Sequence, residues 1–388
     1  MIRSTAEADV VVVGAGPAGA AFAIGAGRAG LKVLLLDAGQ FPREKPCGEG
    51  IMPAGVRALS RLGLVDACGG ARIDGVAYRG FGMNIVTNFP GDAVAETPYG
   101  LGQRRLVLDR VLVDAARDTV GVRVCEKVRV DGLILQHGRV VGVQAQDRVF
   151  RGRLTVGTDG ARSTVRRLLG LDAPVATTRW RRVGWRVHFR LPPGAACPTH
   201  VQVYIGHGYE LYVTPLPDGC VLVAALMLAR DGIGDAGRTL HQFIAEHPDL
   251  EQQLRGAEEI SAPRGRSPLV YGARAAIAPG AVLLGDAAGN SDPITGGGVS
   301  QALLSAELLV AALPRQQLLS EAPYDGEWLY RFDRRRRALL RDYRWLTAGL
   351  ARVARSQGLT RATLSSLRSH PRVMQHLVGV AAGLRTLI

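Results

Sequence analysis

Gly14, Gly16, Gly19 and Asp37 have the types and spacing to hold a dinucleotide. The three glycines form a G-x-G-x-x-G turn after an apolar run, Val10 to Val13, and open an Ala- and Gly-rich run that ends near Gly30. A β-branched and leucine-rich run, Lys32 to Leu36, then closes on Asp37. Gly14 permits the tight turn, Gly16 lets backbone approach a pyrophosphate, and Gly19 lets helix and strand pack closely. The unpaired N–H groups of the helix face the phosphates, and Asp37 is placed to accept hydrogen bonds from the adenosine ribose hydroxyls. A lone glycine-rich turn is weak, but here the strand before, the helix after and the acid some way downstream are all present.

Two further stretches lie far along the chain: Thr158-Asp159-Gly160-Ala-Arg162-Ser163, and Gly285-Asp286-Ala-Ala-Gly289 running on to Pro293 and Gly296-Gly297-Gly298. Consecutive glycines let a backbone approach a ligand without side-chain obstruction. By itself the Asp159 stretch reads equally well as a structural turn; with Asp286 following in order, the set reads as one site.

Together the three stretches resemble the flavoprotein superfamily that holds the para-hydroxybenzoate hydroxylase-type monooxygenases, the geranylgeranyl reductases and the flavin-dependent halogenases. The resemblance covers nearly the whole chain apart from its C-terminal tail. It implies FAD, with NADPH or NADH as reductant. By that resemblance Arg105 looks like the arginine that contacts the flavin's phosphate and ribityl region. Asp159 and Gly160 look like a DG motif tied to FAD and nicotinamide-nucleotide binding, completed by Ser163 and Arg166. Asp286 looks like the carboxylate that holds the ribityl chain, and Pro293 like the proline beside the isoalloxazine. The Gly296-Gly297-Gly298 turn would set a helix N-terminus near the pyrimidine ring, where its dipole stabilises the negative charge of reduced flavin.

Within the superfamily, Pro46-Cys47-Gly48-Glu49-Gly50 and the phrase Gly285 to Ser300 are most similar to the reductase branch, whose Cys-Gly-Gly element has Glu49 here in place of its second glycine. The branch's Trp-x-Phe-Pro sheet motif reads Tyr209-Glu-Leu211-Tyr212-Val-Thr-Pro215 in this chain, without the tryptophan. Halogenases share the Phe41-Pro42-Arg43 run and a Gly-Glu pair. This chain has no lysine between Lys45 and Lys127 to carry an active halogen and lacks their Trp-x-Trp-x-Ile-Pro element. The expected activity is an FAD-dependent, NAD(P)H-using monooxygenase that uses O2 to hydroxylate or epoxidise a hydrophobic aromatic, polyketide or prenylated molecule. A carbon–carbon double-bond reductase is the alternative and a halogenase the third; a non-catalytic flavoprotein carries little weight with all three stretches intact. Glu49, Tyr212 and Pro293 are the candidate catalytic residues. Cys47, Trp185, His188, Tyr209 and Leu211 are the candidate substrate contacts, with Trp185, Val187 and Phe189 on one strand face forming an apolar wall.

The elements that must position these residues follow from pattern. Met52 to Leu64 and Arg105 to Arg117 read as helices, Val122 to Val149 as a small antiparallel meander turning at Asp131-Gly132 and His137-Gly138. Val183–Leu191, Val201–Ile205, Leu211–Leu216 and Val221–Leu228 read as strands of a separate sheet. A buried strand near Ala281 to Leu284 precedes the third stretch and a helix from about Val299 to Leu313. The expected fold class is α/β: a discontinuous Rossmann-like FAD-binding domain (1–77, 101–180, 271–320), an inserted antiparallel β-sheet substrate domain (78–100, 181–270) and a helical C-terminal region (321–388).

Composition fits this reading. The 388 residues suffice for two cores, and the five cysteines, with no C-x-x-C pair, argue against a disulfide framework or metal site and for a reducing cytoplasm. No run matches the roughly eighteen apolar residues of a membrane span, and the glycines of Val10 to Gly27 argue against an export signal. The formal charge of +14 comes almost entirely from arginine. No nucleic-acid module accompanies it. The Arg334-Arg335-Arg336-Arg337 run, with Arg341, Arg344 and Trp345, reads as a solvated helix face or a peripheral membrane contact.

Overall fold

The computed structural model describes residues 4–91, 98–173, 182–228, 236–319 and 326–387; the segment limits expected at 180/181 and 320/321 and part of 78–100 lie outside them. The chain is mixed α/β. Strand Ser4–Val13 runs parallel between Val33–Leu36 and Arg148–Gly157. Val122–Cys125 and Ala281–Leu283 extend this parallel ladder on its two sides. Val10, Val11 and Val12 are fully buried, as a parallel strand covered on both faces requires. Helix Pro17–Arg28 links the first two strands in a βαβ unit and shares a core with helices Arg105–Asp118 and Gly298–Ala312.

The antiparallel meander is smaller than its expected span. It consists of Gly132–Gln136, Arg139–Ala145 and the start of Arg148–Gly157, whereas Val122–Cys125 pairs in parallel with Val33–Leu36. The alternation of a short strand does not reveal which neighbour it pairs with. His137-Gly138 makes a hairpin turn, but Asp131-Gly132 only starts a strand.

The second sheet has the order Glu258–Glu259, Arg182–Arg190, Cys220–Leu228, Tyr209–Leu216, His200–Ile205, Gly75–Gly80, Met83–Asn88, with Arg264–Arg266 also paired to Arg182–Arg190. Its cross-strand register sorts the side chains. Trp185, Ala225, Leu211 and Tyr204 form one row; Arg186, Ala224, Tyr212 and Val203 form the next, on the opposite face. Val187, Phe189, Tyr209 and Leu211 pack with Leu240, Ile244 and Leu250 of helices Ala236–Ala245 and Pro248–Gln253.

The tail forms three helices, Glu327–Val353, Gln357–Ser369 and Pro371–Ala381. Leu364, Met374 and Val378 join Ile73, Ile85, Phe89 and Val203 in one cluster, so the tail packs on the second sheet. Tyr343 of the first tail helix reaches the Gly296-Gly297-Gly298 turn. Among the described residues no helix is long and apolar enough to cross a membrane.

Candidate active site

The first two sequence stretches hold one another. Gly14 has φ +105°, and a Cβ there would lie 2.5 Å from the Thr158 carbonyl oxygen. A Cβ on Gly19 would lie 1.9 Å from the Gly14 carbonyl oxygen, so the helix packs against the turn as the spacing predicts. At Gly16 a Cβ would meet nothing within 4 Å; this backbone faces a cavity. The Thr158 hydroxyl lies 2.6 Å from the Gly14 carbonyl oxygen. Asp37 sits at the end of its strand and accepts the Ala15 and Gly39 N–H groups, each at 2.7 Å, so it braces the turn. Helix Pro17–Arg28 has no side-chain cap and no acid in its first turn, leaving its N-terminus available to an anion.

The Asp159 carboxylate faces the other way. It accepts from the Ser163 hydroxyl at 2.5 Å and from the Thr164 and Val165 N–H groups at 2.6 and 3.1 Å, capping helix Thr164–Leu168. Burial raises its carboxyl above the ordinary aspartate value. Asp159 therefore does not line the cavity, whereas Gly160, at φ +81°, does. Arg166 donates to the Ala161 and Ala287 carbonyls at 2.7 and 3.1 Å and ties the second stretch to the third.

In the third stretch, Asp286 and Pro293 line the cavity on short 3-10 turns, and Gly296 takes φ +69° before helix Gly298–Ala312 begins. That helix also lacks a side-chain cap and a first-turn acid. Gly297 is packed under Tyr343: a Cβ would fall 2.5 Å from the ring, and the Gly297 N–H donates to the Tyr343 hydroxyl at 3.0 Å.

The cavity has a volume of about 410 Å³. One part is lined by Gly16, Lys45, Arg105, Gly160, Asp286 and Gly298, the other by Val203, Leu350, Leu364, Met374, Leu377 and Val378. FAD fits the first part: two uncapped helix N-termini, an open glycine backbone and a buried arginine converge on it. Gly16 and the N-termini of the Pro17 and Gly298 helices would hold the phosphates and ring edge, with Arg105 and Asp286 beside the ribityl chain, while Gly14 and Gly19 shape the turn.

Glu49 lines the cavity and is also the hub of a buried polar cluster. It is 1% exposed and keeps φ +57°, the left-handed conformation that suits the glycine found there in the reductase branch. Its carboxylate accepts the Arg105 N–H at 3.0 Å and meets His188 Nε2 at 2.7 Å. Arg105 is itself bidentate to Asp109, at 2.7 and 2.8 Å. Glu44 joins Arg104 at 2.6 Å to Arg186, which contacts His188 Nδ1 at 2.9 Å.

The expected substrate contacts divide: Cys47, Trp185 and Tyr209 line the cavity. Leu211 and His188 do not line the cavity. The Tyr209 ring also stacks on Phe243 with centroids 3.8 Å apart, and its hydroxyl donates to Glu246 at 2.6 Å. The Trp185 ring covers Gly265, where a Cβ would lie 2.0 Å from it. Leu211 misses the cavity because it faces the helices packed on this sheet, and His188 because it is held beneath Glu49. Cys47 does line the cavity, as does Tyr212, whose hydroxyl donates to the Ile294 carbonyl at 3.1 Å. Burial pushes the Tyr212 phenol far above its ordinary value, so it stays neutral.

Lys45 is a cavity residue that motif reading passes over. A Cβ on Gly160 would lie 3.4 Å from its Nζ. Burial, and then the nearby Arg105 charge, hold this ammonium below the ordinary lysine value. The signal available in sequence was its rarity: only Lys32, Lys45 and Lys127 interrupt an arginine-dominated set of cations.

Comparison with known proteins agrees with this geometry. The FAD binding domain family matches residues 7–234. Menaquinone reductase of Mycolicibacterium smegmatis is 34% identical over 341 residues, covering 79% of this chain and 77% of that one. Digeranylgeranylglycerophospholipid reductase 1 of Methanococcoides burtonii is 30% identical over 305 residues, covering 76% of this chain and 71% of its own. Among solved structures, a flavoprotein/dehydrogenase from Cytophaga hutchinsonii superposes with a TM-score of 0.81 at 21% identity, covering 97% of this chain and 93% of that one.

Proposed function

The chain belongs to the FAD binding domain family and is an FAD-dependent oxidoreductase, and from that premise we propose that it reduces a carbon–carbon double bond in an isoprenoid chain, with NADPH or NADH as electron donor. The observation that carries this reading is the largely apolar stretch of cavity wall that the tail helices supply, where Leu350, Leu364, Leu367, Met374, Leu377 and Val378 outnumber Tyr343, Gln357, Thr360 and Thr363. Such a wall offers a long hydrocarbon many contacts and few hydrogen bonds. The names of both relatives point the same way, since menaquinone and digeranylgeranylglycerophospholipid each carry isoprenoid chains. These two observations favour reduction over the oxygen insertion that the sequence put first.

When bound and first reduced by the nicotinamide, the flavin would supply a hydride to one alkene carbon and return to its oxidised form. The protein's task is to place that alkene, keep water away and deliver a proton to the other carbon. Lys45 suits the last step, because it lines the cavity and burial holds its ammonium below the ordinary lysine value, which makes it a readier proton donor. The phenols of Tyr78, Tyr212 and Tyr343 are all raised by burial and are poorer donors. Glu49, Glu210 and Asp292 are engaged by His188 and Arg182 and are held as structural carboxylates. Cys47 and Pro293 both line the cavity, and in this reading they would stand beside the reacting alkene.

The deciding experiment is anaerobic. Dithionite-reduced holoenzyme is mixed with a geranylgeranyl lipid and with menaquinone, and the products are weighed by mass spectrometry. A gain of two hydrogens per reduced bond without oxygen supports the reading; product that forms only with oxygen and gains an oxygen atom overturns it.

A further inference from the structure

Helix Glu327–Val353 has two unlike faces. Leu340, Tyr343, Leu346, Leu350 and Val353 line the cavity. On the opposite side Tyr330, Arg334, Arg337, Arg341, Trp345 and Arg352 are all exposed. Successive members of this set are three, four or seven residues apart, so at 100° per residue they fall in one stripe. From Tyr330 to Arg352 the stripe extends for about 33 Å. Tyr330 and Trp345 are 70% and 69% exposed, a large cost for aromatic side chains with no use for water.

The charge of the stripe is one-sided. The helix carries eight arginines against Glu327, Asp333 and Asp342. Asp333 is buried against Arg336 and reaches Arg337, and the Asp342 carboxylate turns to Arg341 and the Leu387 N–H. The outward field is therefore cationic. Arginine beside exposed tryptophan and tyrosine matches the boundary between anionic headgroups and acyl chains, where the ring enters the interface and the guanidinium meets phosphate.

We infer that this face docks the protein on a bilayer carrying anionic phospholipid. The inference stands independently of the reaction proposed above. It places the bilayer against the same helix that walls this apolar part of the cavity, so a lipid-borne substrate would enter across a single helix thickness.

The test is vesicle co-sedimentation of the FAD-loaded protein. Vesicles of phosphatidylcholine with about 30% phosphatidylglycerol should retain it in low salt, and pure phosphatidylcholine vesicles should not. Arg334→Gln with Arg352→Gln should weaken the partition about thirtyfold, and Trp345→Ala should weaken it further. All three sites are exposed and outside the cofactor site, so flavin absorbance, thermal unfolding and turnover of a detergent-dispersed short-chain substrate should stay unchanged in the variants. Equal retention on both vesicle types, or wild-type retention of the arginine variant, overturns the inference. So does tighter retention on duplex DNA than on the anionic vesicles. If vesicle binding holds while no alkene is reduced, the reaction is wrong and the surface is right.

Discussion

Gly16 and Gly19 sit three residues apart, yet substitution should strike different properties. Gly16 has φ −70° and ψ −176°, ordinary extended backbone, and open space where a Cβ would stand. Gly16→Val therefore meets no clash in the cofactor-free protein and should leave its stability level or raise it by about 0.4–1 kcal/mol through the unfolded chain. The same side chain would occupy the approach of the pyrophosphate. Overpacking of about 1–3 kcal/mol corresponds to FAD binding about 5- to 150-fold weaker. Gly19→Ala, by contrast, puts a methyl 1.9 Å from the Gly14 carbonyl and 2.6 Å from the Thr158 hydroxyl. Backbone on one side cannot yield cheaply, so the fold itself should lose about 1–3 kcal/mol. Flavin fluorescence titration reads the first effect, and thermal unfolding without FAD reads the second. Wild-type FAD affinity in Gly16→Val would refute the placement of the cofactor at this turn.

Glu49→Gly relieves a left-handed backbone but strips partners from His188 Nε2 and the Arg105 N–H, both buried; a net loss of about 1–3 kcal/mol is expected in denaturant unfolding, and adding His188→Leu should recover part of it. Lys45→Met should slow single-turnover alkene reduction about 100-fold or more, with the rate of flavin reduction by the nicotinamide unchanged, whereas Lys45→Arg should restore little, because an arginine keeps its proton. Val378→Trp, at a site 5% exposed, should cut kcat/KM for long isoprenoid chains by about tenfold or more while sparing a short prenyl substrate. His247 is held below the ordinary histidine value by burial, so the unfolded chain binds its proton more readily. Stability should then rise with pH through the interval between the folded value and about 6.5, and fall as the medium is acidified through it; His247→Gln should flatten that slope in thermal unfolding.

What could be read from the sequence was whatever a few adjacent residues enforce among themselves. The Gly14-Gly16-Gly19 turn, its flanking strand and helix, and Asp37 at the strand end are local, and the structure has them where spacing placed them. The tail was legible as helix, but amphipathicity states only that a face is buried and not what it covers. Its role as a cavity wall, through Leu364, Met374 and Val378, needed the fold. The substrate sheet was legible in part. Of the residues that its aromatic density singled out, Trp185 and Tyr209 line the cavity, whereas Leu211 packs under the helices at Ala236–Ala245 and Pro248–Gln253. The cavity face carries Arg186, Tyr212 and Ala224, a more polar and less conspicuous set, as suits a wall that must also anchor a neighbouring loop.

That anchoring explains where this chain places its buried charges. Arg186 and His188 on the second sheet meet Glu44 and Glu49 on the loop that follows the first βαβ unit, and Arg182 meets Asp292 beside Pro293. The arginine–carboxylate pairs add little net stability against a hydrophobic substitute, but they and the Glu49–His188 hydrogen bond accept only one geometry. An apolar seam could slide by an ångström at small cost; these carboxylates cannot without leaving a buried charge unpaired. Both loops so fixed, 44–50 and 292–298, line the cavity. Under the proposed reaction the seam would hold the two loops to the tolerance that transfer between two bound molecules demands, so loosening it should cost turnover before it costs fold.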